Sequence, residues 1–271
     1  MLTDPSLPGV EALQAHYLQY RYAPHWHEAL CVAVVGKGAA VFECGGIRHV
    51  APAGSVFVIP PGEVHTGEPD EHAGLGYRAL YICPAQVADL LTHAEMGMRG
   101  ASTWPKDAVR RHSAAAGPLL RFHRSLTAPA WPLEREHALL SAIAAVAGEF
   151  GAGLPVSPAH AASEHRAVRL AREYLHAHPA EVITLRDLAK VTGMSMYHLA
   201  RTFKAEIGMA PHAYQVQLRV LQAKRLLAAG RSAAEAAAEC GFYDQAHLIG
   251  QFKRHVGLTP GAYARSVTGR S

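Results

Sequence analysis

The feature that most constrains this chain is an internal repeat. Residues Ser195–Tyr214 (SMYHLARTFKAEIGMAPHAY) and Asp244–Tyr263 (DQAHLIGQFKRHVGLTPGAY) align without gaps at an offset of 49 residues and agree at eight of twenty positions. Ordinary residue frequencies would give roughly one or two agreements. The shared residues are His198/His247, Leu199/Leu248, Phe203/Phe252, Lys204/Lys253, Gly208/Gly257, Pro211/Pro260, Ala213/Ala262 and Tyr214/Tyr263. One supersecondary unit is therefore expected to fold twice.

Each copy spells a helix-turn-helix. Thr184 with Asp187 three residues on predicts a capped helix through LRDLAKV; Thr192-Gly193 predicts a turn, and Ser195 caps the next helix. In the second copy Ser232 opens AAEAAAEC, Gly241 turns the chain and Asp244 caps the following helix. Leu199 with Phe203, and Leu248 with Phe252, stand four apart and form the buried stripe of each second helix. The opposite face is left for a DNA major groove. A single helix, Pro211–Ala228, joins the copies and would set two reading heads roughly 34 Å apart. A plain helical bundle also uses short helices and Gly turns. Against it stand the duplication and the charge: residues 151–271 carry 15 Lys+Arg against 8 Asp+Glu, whereas residues 1–150 carry 11 against 14. The repeat-bearing half suits a polyanionic partner.

The 271 residues, 49% of them hydrophobic, suffice for two cores. From Leu30 to Ile82, short Val- and Ile-rich runs are cut by Gly and Pro (CVAVVGKG, AAVFECGG, IRHVAPAG, SVFVIPPG), which predicts a small antiparallel sandwich or barrel. Past Pro84, apolar residues fall at helical spacing, predicting helices over Ala85–His93, Asp107–Ser125 and Pro132–Phe150. The stretch GAGLPVSPAHAAS is small, Gly/Pro-rich and aperiodic, as a domain boundary would be. The opening MLTDPSLPGVEALQ has no export-leader pattern, and the longest apolar run, Ala138–Gly148, is too short for a bilayer. Cys31, Cys44, Cys83 and Cys240 show no CxxC spacing. A cytoplasmic protein without membrane contact is expected.

The segments LARTFKAEIG, LQAKRLLAAG and ECGFYDQAHLIGQFKRHVGLTPGAY, within Leu185–Tyr263, resemble the DNA-binding domain of the AraC/XylS regulators, whose most specific signature is GF, then FK, then GxTPxxY. The likeness covers about a third of the chain. Two departures stand out: the helix before Gly241 is nearly all alanine, and Gly250 replaces a larger polar residue. The resemblance implies a transcription regulator rather than an enzyme, with double-stranded DNA and RNA polymerase as partners. Together with helical geometry it assigns Met196, Tyr197, Ala200, Arg201 and Lys204 to the groove-facing side of the first unit. Their counterparts in the second are Gln245, Ala246, Ile249, Gly250 and Lys253, with Arg254 beside them for phosphate. Arg201 has the fork for a guanine edge, and Gln245 the amide for adenine.

The stretch PHWHEALCVAVVGKGAAVFECGGIRHVAPAGSVFVIPPGEVHTG resembles the cupin-type effector domain of the same regulators. The expected fold is thus multidomain α+β: a cupin-like barrel over residues 1–83, a helical stretch 84–150, a linker 151–163, and a double helix-turn-helix domain 164–271. His25 and His27, two apart, would project from one face of a strand, and His65 would close on them. Three converging imidazoles suit Zn, Fe, Ni or Mn, although Cys31 stands where metal-binding cupins carry Glu. The same histidines suit an organic pocket, or hydrogen bonds within the barrel. The missing carboxylate favours an organic small-molecule effector and no cofactor, with His25, His27, His65 and Glu63 as polar groups and Trp26, Phe42, Phe57 and Tyr81 as walls.

Two further readings remain at this level. One is a metal-dependent cupin enzyme with a helical appendage; the other is a repair or architectural DNA protein, for which Cys240 lacks a Pro-Cys setting. A stripe through Leu133, His137, Leu140, Ile143, Ala144 and Ala147 fits either internal packing or a homodimer contact.

Overall fold

Fifteen consecutive residues, Leu30–Cys44, form the strand around which the N-terminal fold is built in the computed structural model, which describes residues 1–71, 74–93, 107–128, 130–150 and 165–268. The expected linker 151–163 lies outside the described residues. The strands are β1 (Leu2–Thr3), β2 (Val10–Tyr17), β3 (Tyr22–His25), β4 (Leu30–Cys44), β5 (Ile47–Pro52), β6 (Val56–Ile59), β7 (His65–Pro69), β8 (Leu75–Ile82) and β9 (Val109–Arg110); among them lie helices α1 (Pro84–His93), α2 (Ala116–Ser125) and α3 (Pro132–Phe150). The chain divides into two compact units, residues 1–21 with 26–159 and residues 160–271, the short β3 being grouped with the second.

The strands run in the order β1-β2-β8-β4-β6-β9, with β5 and β7 paired to the far half of β4. Residues Leu30–Val35 of β4 lie between β8 and β6, whereas Ala39–Cys44 pair with β5, and Ala40, Val41 and Cys44 with β7. The register slips between Val35 and Lys37, and Gly38 takes φ 68°, so one strand bends out of one sheet into another. The expected barrel does not close. Closure needs two neighbours for every strand, and the path instead ends on β1 and β9, two residues each. The antiparallel, sheet-rich class stands.

Alternation along β4 sorts its side chains between two cores. Leu30, Val32 and Val34, with Val10, Val58, Leu80 and Ile82, pack against Leu91, Leu119, Phe122, Leu139, Ile143 and Phe150 of the helices. Cys31, Ala33 and Val35 face the other way, with Phe42, Cys44, Phe57, Ile59 and Tyr77. The stripe expected along α3 divides accordingly. Ile143 and Ala147 are buried in this unit's own core, whereas Leu133 is 76% exposed.

α1 and α3 cover the expected ranges, but the helix expected over Asp107–Ser125 begins only at Ala116. Val109 and Arg110 instead pair with Phe57 and Val56 at the sheet edge. The backbone there satisfies its hydrogen bonds on a neighbouring strand, which local helical spacing does not register. Glu149 holds the following turn in place, its carboxylate accepting from Ser113 Oγ (2.5 Å) and Ala115 N (3.1 Å).

The second unit is helical: α4 (Arg166–Ala177), α5 (Leu185–Thr192), α6 (Met196–Ile207), α7 (Pro211–Ala228), α8 (Ala233–Glu239), α9 (Gln245–Val256) and α10 (Pro260–Thr268). No described helix is long and apolar enough to cross a membrane.

Candidate nucleic-acid interface and candidate effector site

Each second helix of the repeat is held by the residues the repeat shares. Leu199 and Phe203 on α6, and Leu248 and Phe252 on α9, are fully buried. Phe203 meets Tyr214 and Phe252 meets Tyr263, each at 5.6 Å between ring centroids. Gly208 and Gly257 end α6 and α9 in the left-handed conformation, at φ 84° and 80°. The caps are in place as expected. Thr184 and Asp187 form a reciprocal capping box, as do Ser232 and Glu235. Ser195 Oγ accepts from His198 N, and Asp244 Oδ1 from His247 N at 2.7 Å. The alanine-rich α8 turns Ala236 and Ala237 into the core, with Cys240 at its end.

With the apolar stripe turned inward, the other face of each helix reaches solvent. On α6, Met196, Tyr197, Arg201 and Lys204 are exposed, Tyr197 to 76%, and Ala200 is half-buried. On α9, Gln245, Ala246, Ile249, Gly250, Lys253 and Arg254 are exposed. A Cβ at Gly250 would meet nothing within 4 Å, so the missing side chain leaves the surface bare rather than making room for a neighbour.

In the N-terminal unit, His27 and His65 meet edge to face at 4.9 Å between centroids, and Tyr81 lies 5.2 Å from His27. His27 Nδ1 donates to Ala29 O at 2.6 Å and His65 Nδ1 to Glu63 O at 2.9 Å. A carbonyl only accepts, so each ring carries a proton on Nδ1. Burial, and then the neighbouring His27, push the His65 pKa down to about 3, which keeps that ring neutral. Phe42 and Phe57 pack at 4.9 Å, and Trp26 and Glu63 are buried.

His25 behaves differently from the expectation that it shares a strand face with His27. β3 ends at His25, and His27 lies beyond it, so two-residue alternation does not carry from one to the other. His25 stacks on Tyr22 at 5.2 Å and donates from Nδ1 to Ala23 O at 2.8 Å. Cys31, in the carboxylate slot, is hydrogen-bonded with Tyr81, and burial pushes its thiol up to about 12. Among the described residues no group of three or more His, Cys, Asp and Glu side chains is placed to hold a metal ion. Sequence reasoning passed over Cys44, also buried and pushed up to about 12, whose backbone pairs with His65 across β4 and β7. Strict alternation from Cys31 lands on Glu43, so Cys44 reaches this face only through the register slip between Val35 and Lys37, for which the sequence carries no local signal.

A family model described as an AraC-like ligand binding domain matches residues 7–143, and one described as a helix-turn-helix domain matches residues 188–266. The HTH-type transcriptional regulator YbfI of Bacillus subtilis is 29% identical over 248 residues, covering 90% of this chain and 87% of that protein. The regulator YdeC of the same organism is 22% identical over 262 residues, with the same shares of each chain covered. Among solved structures, a point variant of ToxT from Vibrio cholerae in its apo form superposes with TM-score 0.61 at 13% identity, over 98% of this chain and all of that one. Wild-type ToxT bound to an unsaturated fatty acid gives TM-score 0.60 at 12% identity, over 97% and 96%. At such identities the likeness is one of fold.

Proposed function

This chain belongs to the AraC-type family of DNA-binding transcription regulators with an N-terminal ligand-binding domain, and from that premise we propose which residues read DNA and what the N-terminal unit senses. The observation that carries the proposal is the pair of capped helices, α6 and α9, each buried along Leu and Phe and each presenting polar and basic residues outward. Residues 164–271 are the DNA-binding part, and the free thiols suit a reducing cytoplasm. Sequencing of duplexes selected from a randomised pool by the purified protein, with and without metabolite extract, tests the whole reading. A specific site whose recovery depends on the extract is the expected result, and random recovery in both arms would overturn it.

The two heads are unequal. On α6, Arg201 takes a guanine edge and Tyr197 a thymine methyl or sugar, with Met196 beside them. On α9 only Gln245 makes a bidentate base contact, while Lys204, Lys253 and Arg254 serve phosphates. Arg201→Ala is expected to cost about 1–3 kcal/mol and to relax preference at one guanine; Lys253→Ala should weaken all sequences alike and flatten the salt slope by about one. Unchanged base preferences in the Arg201 variant, across randomised sites, would show that this arginine touches only phosphate.

The effector site is His27, His65, Glu63 and Tyr81 with Trp26 and the aromatic walls, whereas His25, expected beside them, stacks on Tyr22. The buried, neutral His65 ring among aromatic walls suits an uncharged ligand bearing O–H or N–H groups, unlike the fatty acid that ToxT binds. Neutral hydroxyl-bearing compounds should raise the thermal midpoint through preferential binding to the folded state, and His65→Ala should abolish that rise without weakening DNA binding. A rise with long-chain carboxylates, kept in the variant, would place the pocket elsewhere. Pairing of subunits along α3 through the exposed Leu133 and His137, with the half-buried Leu140 and Ala144 behind them, and contact with RNA polymerase complete the proposal. The family assignment lends no support to a metal-dependent enzyme.

A further inference from the structure

We propose that Arg219 is a positioning residue that sets the angle between the two reading heads, and so fixes the spacing of half-sites that the protein accepts. The inference rests on the reading that α6 and α9 engage one duplex.

An α7 of 18 residues spans about 27 Å and fixes the distance between the units it joins. It does not by itself fix how each unit is rotated. Arg219 lies near its middle and spends its donors on main-chain carbonyls from both sides. Nε donates to Pro179 O at 2.8 Å and Nη2 to Glu181 O at 2.8 Å, both in the loop that leads into α5. Nη1 donates to Gly241 O at 2.7 Å, in the turn between α8 and α9. One turn earlier on α7, Gln215 Nε2 donates to Glu181 O at 2.8 Å. These carbonyls lie just past the C-terminal ends of α4 and α8, where the helix dipoles favour a cation.

Gly241 completes the arrangement. A Cβ there would collide with the Ala180 carbonyl, so the loop of the first unit and the turn of the second touch directly, beside the shared guanidinium. The turn glycine of the first unit, Gly193, which falls one position later in the repeat register, has nothing within 4 Å of its Cβ position and serves its backbone angle alone. Only a planar fork reaches three carbonyls in three directions; a lysine ammonium at the same position is a single point on a flexible stem.

Two linked modules bind far more tightly than one only while their geometry matches the spacing of the sites. Each inserted base pair moves one half-site by about a tenth of a helical turn relative to the other. The test measures binding of the full chain, by fluorescence anisotropy, to selected duplexes carrying both half-sites at native spacing, with one or two base pairs inserted, and to a single half-site. Wild type is expected to lose about tenfold or more per insertion. Arg219→Ala and Arg219→Lys are expected to lose about tenfold at native spacing, to match wild type on the single half-site, and to show little further loss on insertion. Gln215→Ala should shift the same ratios in the same direction by less, which keeps the test open if the arginine variants fail to fold. A spacing penalty in all variants equal to that of a spacing-sensitive wild type overturns the role of Arg219 alone. A wild type indifferent to spacing overturns the two-head reading, and the clasp with it.

Discussion

Lowering the pH from 7 to 4 is expected to cost the N-terminal unit on the order of 5 kcal/mol, at about 1.4 kcal/mol per pH unit and per group, read as a falling midpoint of chemical or thermal unfolding. The sources are two buried histidines. Burial, then the nearby His27, hold His65 down to about 3; burial, then the charge of Arg78, hold His123 down to about 4. His123 sits on α2 under the sheet, and among the described residues its Nε2 has no hydrogen-bond partner. Both rings fold neutral, whereas in the unfolded chain each takes up a proton near pH 6.5. The stability they provide is therefore complete above that pH and is lost as pH falls toward their folded values. His123→Leu removes one of the two and should flatten the pH dependence by roughly half, whatever it does to stability at pH 7. An unaltered slope in that variant would mean that water reaches the ring.

Phe203→Ala and Phe252→Ala are each expected to destabilise the helical unit by about 3–5 kcal/mol. Both side chains are fully buried, and each meets the tyrosine the repeat also duplicates. Such a loss is a large part of the roughly 5–15 kcal/mol that holds a domain folded, so specific DNA binding should fail as well. Lys204→Ala, on the exposed side of the same helix, should stay within about 0.5 kcal/mol of wild type in urea denaturation. Phenylalanine variants as stable as the lysine variant would show that the repeat does not build the core.

The positions shared by the two copies divide by role. Leu, Phe, Gly, Pro and Tyr are the residues that bury, cap or start a helix, whereas the groove-facing positions have diverged apart from Lys204 and Lys253. That is why the repeat disclosed the scaffold readily and the base contacts only by geometry. The N-terminal histidines were visible as a cluster, but their pairing was not: β3 ends at His25, and it is His27 and His65 that meet.

The sequence by itself determined what short-range physics controls. Capping residues, left-handed glycines, N-terminal prolines and the four-residue apolar spacing fixed α3, α5, α6, α7 and α9, because each acts within a turn or two of the residues that encode it. What only the tertiary structure decided depends on partners distant in the chain. The sheet stayed open, and Val109–Arg110 became strand rather than helix, because backbone groups at an edge bond to whatever strand lies there. Arg219 reads as one more surface cation of a helix until the carbonyls of Pro179, Glu181 and Gly241 arrive from loops 22 to 40 residues away, and His123 as an ordinary histidine until the sheet removes its water. Desolvation and long-range hydrogen bonding have no local signature, because the groups that create them meet only when the chain is folded.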